Sequence, residues 1–397
     1  MSDLKTFRKE TRDWLEANCP ASMRTPQKRE EGVYGGRKWV WKNEDAKIWF
    51  ERMVEKRWTA PEWAPEYGGA GLSPQEAKVL QQEMERLGCR KPITGHGFWM
   101  LGPALLEYGT EEQKREHLPK IARGEIRWCQ GYSEPGAGSD LASLRCRAED
   151  KGDHFIVNGQ KSWTSDGDKA DWIFCLVRTS DTGKKQEGIS FVLFDMETPG
   201  VEVRPVTLIT GDCHFCDTFL TDVKVSKENV VGEINKGWSV AKALLVHERK
   251  MMSEMERNMP KGKLTPVDYA CHYLALDDSG RVADGTLRGR LVDHLMRQKA
   301  IELAQQRAFE EGMAGVFDMR VASIFKYAGT EQKKIKDELI IDMMGATGGG
   351  WDDSQFNEDE RARTTEWMSG KALSIAGGSS EVQLNLIAKK ALSLPDA

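Results

Sequence analysis

The sequence predicts an α+β fold in three parts: an N-terminal helical domain (residues 1–125), a central antiparallel β barrel or sandwich (126–235) and a C-terminal bundle of the four-helix type (236–397). Apolar residues recur at helical spacing in the first and last parts, whereas short β-rich runs separated by turns fill the middle. A chain of 397 residues is also long enough to bury a sizeable core and to form two or three subdomains.

The N-terminal part carries two signals that mark where helices begin. Residues 73–76 (Ser-Pro-Gln-Glu) place a serine N-cap before a proline at the first helical position and a glutamate at the third, which is a capping box. Residues 110–113 (Thr-Glu-Glu-Gln) form a second capping box. Apolar residues at helical spacing follow the first signal and also occur near the N-terminus, at Leu4, Phe7, Trp14, Leu15, Val79, Leu80, Met84 and Leu87.

The central part changes to short β-rich runs. We predict strands at residues 145–149, 155–157, 172–178, 189–195, 201–206 and 219–225. The Asn158-Gly159 dipeptide between two runs is typical of a tight hairpin turn. Six or seven strands with short connections favour a small antiparallel barrel or sandwich.

After residue 236 the sequence returns to helical periodicity. Helices are predicted at residues 239–255, 266–276, 287–311, 319–344 and 382–392. Long amphipathic helices of similar size indicate a bundle. Glycine-containing stretches at residues 345–350 and 377–378 interrupt this bundle with loops.

Composition and charge argue against several classes of protein. The net charge of −5 and the pI near 5.9 do not suit a nucleic-acid-binding surface. No apolar run reaches the roughly 18 residues of a membrane-spanning helix, and the first residues resemble neither a signal peptide nor a transit peptide, so we expect a cytoplasmic protein. Eight cysteines are too sparse for a disulfide scaffold. Cys213 and Cys216 are spaced like metal or redox ligands but have no second pair, so no metal is expected.

Two segments of the central part suggest a ligand site. Within residues 128–140, Gly136 and Gly138 leave backbone N–H groups open to a flat or anionic ligand, and Ser133 and Ser139 stand on either side. Residues 159–165 (Gly-Gln-Lys-Ser-Trp-Thr-Ser) add a large ring and further hydroxyls. From these residues alone, an ordinary turn after a strand is an equally good interpretation of the first segment.

The two segments resemble the flavin site of the acyl-CoA dehydrogenase family. Residues 132–140 (Tyr-Ser-Glu-Pro-Gly-Ala-Gly-Ser-Asp), here called the signature loop, and residues 157–163 (Val-Asn-Gly-Gln-Lys-Ser-Trp) are similar to the family's two signatures at the family spacing. The resemblance covers most of the chain. It implies a helical–β–helical layout, FAD as cofactor and an acyl-CoA as substrate. By position it assigns the FAD contacts to Gln130, Tyr132, Ser133, Gly138, Ser139, Trp163, Thr164, Ser165, Gly345, Ser379 and Glu381.

A carboxylate falls on the apolar stripe of the helix predicted at residues 239–255. Glu248 follows Leu244 by four residues, and Val240, Met251 and Met255 complete the stripe. A carboxylate on an apolar face is costly unless it is paired or functional, and desolvation raises the pKa of such a group towards that of a general base. The residues leave two interpretations open, a catalytic base or a salt bridge to Arg249 or to a neighbouring helix.

The resemblance favours the catalytic interpretation. In most of the family, the base that removes the α-proton is a glutamate on the loop before the last helix, where this chain has Gly377. A branch that includes enzymes similar to isovaleryl-CoA dehydrogenase carries its base on the helix after the β domain, and Glu248 matches that position. The resemblance also assigns substrate contacts to Ser139, to Arg249 and to the backbone N–H of Gly377, which would polarise the thioester carbonyl.

The chain departs from the family pattern after residue 270. The Arg-x-x-Phe-Gly motif, with which one subunit grips its neighbour's FAD, is absent there, and residues 277–285 (Asp-Asp-Ser-Gly-Arg-Val-Ala-Asp-Gly) stand in its place. Arg281, Arg288 and Arg290 are each candidates for the contact with the FAD pyrophosphate, and the sequence does not choose among them.

The resemblance therefore implies an FAD-dependent enzyme that oxidises an acyl-CoA to the trans-2-enoyl-CoA and passes its electrons to an electron-transferring flavoprotein. A homodimer or homotetramer is expected, and a hetero-oligomer is also open. Two alternative functions stay open, an acyl-CoA oxidase that is reoxidised by oxygen and a non-catalytic subunit of a hetero-oligomeric dehydrogenase. The small Ala376 and Gly377 favour a bulky, branched or ring-bearing acyl group.

Overall fold

The computed structural model describes residues 2–27, 31–245, 247, 264–314, 316, 322–352 and 354–395. The chain divides into two compact units, Met1–Thr207 together with Cys213–Met259, and Leu208–Asp212 together with Pro260–Ala397. The first unit contains the N-terminal helices and the sheet, and the second contains the C-terminal helices. The predicted order of helices, sheet and helices is confirmed.

Five α-helices precede the sheet in the described residues, and two of them begin at the predicted capping boxes. They are α1 (Ser2–Asn18), α2 (Glu44–Glu55), α3 (Pro74–Leu87), α4 (Gly102–Tyr108) and α5 (Glu111–Ala122), with a π-helical turn (Gly97–Leu101) before α4. Both predicted capping boxes are present, with Ser73 and Thr110 as the caps. Helices α1 and α3 pack together over a core that includes Leu15, Met53 and Leu80.

One carboxylate ties α1 to α3. Glu83 is 1% exposed, and its oxygens accept hydrogen bonds from Arg8 at 2.8 Å, Arg12 at 2.9 Å and Arg86 at 2.8 Å. The hydrogen bond from Arg12 is the largest influence, and with the other two arginines it outweighs the opposing effect of burial. Together they lower the pKa of Glu83 to about 2.

Acid is therefore expected to destabilise these helices through Glu83. A carboxylate whose pKa is lowered by folding contributes its stability above the unfolded value of 4.5, and this contribution disappears as the pH falls towards about 2. It amounts to at most about 3 kcal/mol, because the three arginines are partly exposed. Urea unfolding of the parent between about pH 6 and about pH 3 should show the decline, and Glu83→Gln should flatten it. Identical acid profiles in the two proteins would contradict this role.

The central sheet is mixed. Its strands are β1 (Trp128–Gly131), β2 (Arg147–Asp150), β3 (His154–Ser165), β4 (Trp172–Arg178), β5 (Ile189–Asp195), β6 (Val201–Val206), β7 (Phe215–Ser226) and β8 (Val230–Val231). The order is β6-β7-β3-β2-β4-β5-β8, and β1 pairs with β4 outside this path. Most pairs are antiparallel, as predicted, but β1 and β2 run parallel to β4. After the sheet, residues 237–245 form helix α6.

The predicted hairpin turn at Asn158-Gly159 is wrong. Both residues lie inside β3, which pairs with β7 along its length, and the turn before β3 falls at residues 151–153. Gly159 lies at a register shift with φ of 154°, and an added Cβ would lie 2.8 Å from the Cα of Cys146. The glycine therefore allows two chain segments to approach closely within the sheet, which local patterning does not distinguish from a turn.

The second unit is helical. Its described helices are α7 (Pro266–Tyr273), α8 (Gly285–Met313), α9 (Ala322–Met344), α10 (Glu358–Gly370) and α11 (Ser380–Leu386), with a π-helical turn (Ile387–Ala391) after α11. Tyr269, Leu291, Leu339 and Met343 belong to its core. Helix α10 was not predicted because its sequence lacks apolar periodicity, although the capping box at Asn357 was an available signal.

The described residues contain neither a membrane-spanning helix nor a cluster of metal ligands. None of the helices in these ranges is long and apolar enough to cross a membrane. The same ranges contain no group of three or more His, Cys, Asp and Glu side chains that could hold a metal ion. Cys213 is exposed and Cys216 is buried, and both are in the reduced thiol form.

Candidate functional site

The signature loop is fastened to the sheet by main-chain hydrogen bonds. It follows β1, in which Gln130 is the half-buried residue. Glu134 and Ala137 exchange N–H···O bonds of 3.1 and 3.0 Å, which closes a tight turn. Ser162 in β3 donates its N–H to the carbonyl oxygen of Ser133 at 2.8 Å. These bonds hold the two signature segments side by side.

A buried ion pair lies beneath the signature loop. Lys161 is fully buried, and its Nζ donates to Glu134 Oε1 at 2.7 Å and to the carbonyl oxygen of Tyr132 at 3.3 Å. The carboxylate of Glu134 also accepts the backbone N–H groups of Arg145 at 2.7 Å and Cys146 at 2.9 Å. Burial alone lowers the pKa of Lys161, but the neighbouring Cys175 and Cys146 thiols and the Glu134 carboxylate together raise it above its ordinary value. The ammonium group therefore stays charged.

Glu134 and Lys161 have a role that the sequence analysis did not assign, although both lie in the signature segments. The available signal is the alternation along β3, where Phe155 and Val157 are buried and Lys161 falls at the same inward parity. A charge at an inward strand position requires a buried partner, because an unpaired charge is costly there.

The top of the signature loop leaves main-chain groups open to solvent. Gly136 and Gly138 are exposed, and an added Cβ at either would meet no atom within 4 Å. Within the described ranges, neither N–H donates to another backbone group. Ser139 is exposed beside them. An open row of amide groups and hydroxyls is suited to a polar or anionic ligand.

Trp163 presents its ring to solvent from an unusual position in β3. Its φ is 60°, in the left-handed region, and it lies at a register shift between Lys161 and Thr164. The side chain is 59% exposed and packs edge to face against Phe215, with ring centroids 5.5 Å apart. Such bulges redirect side chains, and strained backbone conformations concentrate at functional sites.

Thr164 and Ser165, the next two predicted cofactor contacts, differ in accessibility. Thr164 is fully buried, and its hydroxyl accepts a hydrogen bond from Thr218 at 3.1 Å, so its side chain stabilises the pairing of β3 with β7. Ser165 is half-buried at the end of β3. Ser165 is therefore the better placed of the two for a side-chain contact.

One set of the predicted site residues lies within the first unit. The first unit gathers the contacts predicted on β1, the signature loop and β3, namely Gln130, Tyr132, Ser133, Gly138, Ser139, Trp163, Thr164 and Ser165. Glu248 and Arg249 lie outside the described residues. Gly345, Gly377, Ser379 and Glu381 belong to the second unit.

In the second unit, two predicted site glycines have left-handed backbones. The φ angles are 57° at Gly345 and 65° at Gly377, and an added Cβ at either would meet nothing within 4 Å. Ser379 caps α11 by accepting the N–H of Val382 at 3.3 Å. Glu381 lies in the first turn, where its own backbone N–H and the Ser379 side chain lower the pKa of its carboxyl group. This arrangement is also the ordinary structural role of an acidic residue at a helix N-terminus.

The three arginines considered for the FAD pyrophosphate all have protein partners in the second unit. Arg281 pairs with Asp277 at 3.0 Å, and Arg290 pairs with Asp342 at 2.6 Å. Arg288 donates to a backbone carbonyl at 2.6 Å. Their contacts therefore do not single out one of them.

Comparisons with known proteins identify the family. Residues 2–125, 129–223 and 235–392 match the profiles described as the N-terminal, middle and C-terminal domains of acyl-CoA dehydrogenase. The chain belongs to the acyl-CoA dehydrogenase family. It is thus an oxidoreductase of the acyl-CoA dehydrogenase type, and members of this family are flavoproteins.

Similar proteins cover this acyl-CoA dehydrogenase from end to end. The acyl-CoA dehydrogenase IpdE1 of Mycobacterium tuberculosis is 32% identical over 396 residues, which are 100% of this chain and 99% of IpdE1. The solved Tcur3481–Tcur3483 steroid ACAD is 28% identical with a TM-score of 0.70, over 100% of this chain and 99% of that one. The ChsE4–ChsE5 complex from Mycobacterium tuberculosis is 27% identical with a TM-score of 0.69, over the same shares.

In this acyl-CoA dehydrogenase we expect Trp163 to matter for flavin binding more than for folding. Trp163→Ala removes a largely exposed ring, so the unfolding free energy of the apoprotein should change by no more than about 0.5 kcal/mol. The flavin dissociation constant, measured by titration of flavin fluorescence, should rise about tenfold because an aromatic contact is lost. Trp163→Phe keeps a ring and should show a smaller rise. Unchanged affinity in both variants would show that the ring is not a flavin contact.

Proposed function

We propose that this acyl-CoA dehydrogenase uses FAD to remove one α-hydrogen and one β-hydrogen from an acyl-CoA thioester, giving the trans-2-enoyl-CoA. The observation that carries the proposal is the joining of the two signature segments by the Ser162–Ser133 bond, with the Trp163 ring and the open loop amides exposed nearby. Family membership gives the reaction type, and the site residues give the assignment of roles.

The described residues of the first unit suit an isoalloxazine ring. The exposed Trp163 offers an aromatic surface, and the open N–H of Gly138 offers a hydrogen-bond donor. The hydroxyls of Ser133, Ser139 and Ser165 add donors and acceptors. When bound, FAD supplies the acceptor for the β-hydrogen as hydride. On the family pattern, Gly345, Ser379 and Glu381 are the remaining FAD contacts.

Glu248 is the base in this proposal. In α6, Val240 and Leu244 are buried in the core cluster that also contains Tyr132. Glu248 follows Leu244 at helical spacing in the sequence, which assigns its carboxylate to the same apolar stripe. The carboxylate takes the α-proton, and the electron pair of that C–H bond forms the Cα=Cβ bond as hydride leaves the β-carbon.

The remaining substrate contacts stabilise the charge that develops during proton removal. The backbone N–H of Gly377 donates to the thioester carbonyl oxygen, which favours the enolate-like transition state. Arg249 and Ser139 hold the thioester and its CoA tail. Gly377 needs no side chain for this role, and its open surroundings are compatible with it.

The substrate class that we propose is a ring-bearing acyl-CoA derived from a steroid. A solved structure that matches the whole of this chain is named a steroid ACAD. Ala376 and Gly377 are small, and no atom lies within 4 Å of a Cβ built at Gly377, which leaves room for a bulky group. A preference for short straight-chain thioesters would count against this substrate class.

The proposed electron acceptor is an electron-transferring flavoprotein, and the proposed assembly is an oligomer. Several apolar side chains of α8 are exposed, among them Val292, Met296 and Leu303. Exposed apolar surface of this kind is typical of subunit interfaces. In this proposal, either a second copy of this chain or a different family member covers the exposed apolar surface of α8. The matching ChsE4–ChsE5 structure is itself a complex of two chains.

A panel of acyl-CoA thioesters, mixed anaerobically with the purified flavoprotein, tests the proposal by the bleaching of the flavin absorbance. We expect a ring-bearing thioester to bleach fastest and the product to be the trans-2-enoyl-CoA. Rapid oxygen consumption during turnover would favour the oxidase alternative. A purified protein that is colourless and lacks bound flavin would favour the non-catalytic subunit, for which the replacement of the usual base by Gly377 and the missing FAD-gripping motif are the motivating observations.

A further inference from the structure

A cavity of about 390 Å³ lies beside the signature loop and is not used by the reaction described above. It is lined by residues 134–136 of the loop, by Ser143, Arg145 and Cys146 just before β2, and by residues 159–160 of β3. Its size falls within the range of small-molecule sites. The cavity lies wholly within the first unit.

Arg145 gives this cavity a positive charge. The residue is exposed, and its backbone N–H is held by Glu134 at 2.7 Å, which fixes the start of its side chain. Within the described ranges, no carboxylate forms an ion pair with its guanidinium group. An arginine without a protein counter-ion is free to bind an anion, and its planar fork suits phosphate oxygens.

Glu134, the other charged residue that lines the cavity, does not cancel the positive charge of Arg145. Glu134 lines the wall, but its carboxylate is paired with the buried ammonium of Lys161 at 2.7 Å and also accepts two backbone N–H groups. Its charge is therefore compensated inside the protein. Gly136, which also lines the cavity, is exposed and has no atom within 4 Å of an added Cβ, so its backbone N–H is accessible. A cation and an open amide together favour an oxyanion.

We propose that this cavity binds the phosphorylated nucleotide end of coenzyme A, with Arg145 as the residue that contacts its phosphates. The inference rests on the proposed function, because the substrate is there an acyl-CoA. The CoA nucleotide carries the phosphate groups of that substrate. Arg145 lies at the surface, so the contact forms and breaks readily, as a substrate that leaves after each turnover requires. The diphosphate of FAD has the same chemistry and is the competing source.

The test compares the parent holoenzyme with Arg145→Gln on two thioesters of the acyl group that bleaches the flavin best, one of coenzyme A and one of pantetheine, which lacks the nucleotide. We expect the variant to raise the KM for the CoA thioester about tenfold, because a charge-assisted contact is lost. The KM for the pantetheine thioester and both kcat values should stay unchanged. Added salt should raise the KM of the parent for the CoA thioester more than that of the variant.

Arg147→Gln is the matched control. Arg147 is an exposed arginine two residues further along the chain, and it does not line the cavity. Its replacement should leave the KM for both thioesters unchanged. An equal rise for both thioesters in Arg145→Gln, or an equal rise in the two variants, would overturn the inference.

Two further outcomes distinguish binding of coenzyme A from binding of FAD, and from a failure of the proposed function. If Arg145→Gln loses FAD on dilution while its preference for CoA over pantetheine thioesters is unchanged, the cavity serves the cofactor and the assignment to coenzyme A is wrong. If no thioester bleaches the parent, the proposed function fails, and binding of free coenzyme A measured by calorimetry then decides the inference. A tenfold weaker affinity in Arg145→Gln supports it, and equal affinities overturn it.

Discussion

Glu248→Gln is expected to slow flavin reduction by a saturating acyl-CoA by about 10²–10⁴-fold. The amide is close in size to the carboxylate, so the substrate can still bind, but an amide does not accept the α-proton. Stopped-flow measurement of flavin bleaching gives the rate of this step directly. The FAD content and the thermal unfolding of the variant should match those of the parent, which would show that the loss is chemical. Bleaching at the parent rate would mean that Glu248 is not the base.

A second substitution makes the test of the base more specific. Gly377 occupies the position at which most of the family carries its base, and an added Cβ there meets no atom within 4 Å. Gly377→Glu in the Glu248→Gln background should therefore restore part of the lost rate. Its φ of 65° disfavours a side chain by about 1–2 kcal/mol, so the recovery should be incomplete. Gly377→Gln in the same background is the matched control and should restore nothing.

Lys161→Met is expected to lower the free energy of unfolding by about 3–5 kcal/mol. The change removes the cation from a fully buried ion pair and leaves the Glu134 carboxylate with two backbone N–H groups as its remaining partners. It also removes the bond to the Tyr132 carbonyl at 3.3 Å, so the signature loop should lose its position and the protein its flavin. Urea denaturation and the flavin content after gel filtration measure the two effects.

The control for Lys161 is Lys169→Met. Lys169 is half exposed, and among the described residues its ion pairs are long ones with the partly exposed Asp166 (3.4 Å) and Asp168 (4.0 Å), so its replacement should change the unfolding free energy by no more than about 0.5 kcal/mol. The double variant Lys161→Met/Glu134→Leu removes both buried charges and should be more stable than Lys161→Met alone, because no uncompensated carboxylate is left. If Lys161→Met is as stable as the Lys169 control, the ion pair does not hold the loop.

Much of the fold follows from short-range patterns. The capping boxes at Ser73 and Thr110 fix where α3 and α5 begin, because a side chain satisfies backbone N–H groups within the same turn. Strands β4, β5 and β6 have the predicted bounds, since continuous β-rich runs are bounded by turn residues. Helix α10 was not predicted because its apolar residues do not recur at helical spacing.

Some features of the candidate site could be predicted from the sequence, and others depend on the fold. The open amides of Gly136 and Gly138 and the presence of an aromatic ring at Trp163 were readable from residue types. The sequence did not reveal that Trp163 stands on a bulge and faces outward, because a register shift is set by the partner strand β7. Nor did it show that Arg145 borders a cavity, which forms only when residues 134–136 and 159–160 meet.

By itself the sequence determined the helical–β–helical order, the starts of α3 and α5 and the family signatures, since each of these depends on neighbours within a few residues. Tertiary structure alone decided that Gly159 lies inside a strand, that β1 runs parallel to β4 and that Lys161 meets Glu134. Each of these contacts joins segments that are far enough apart in the chain to be ordered only by the packed core. Burial then makes an unpaired charge or a clashing Cβ costly, which selects one arrangement from those that local patterns allow.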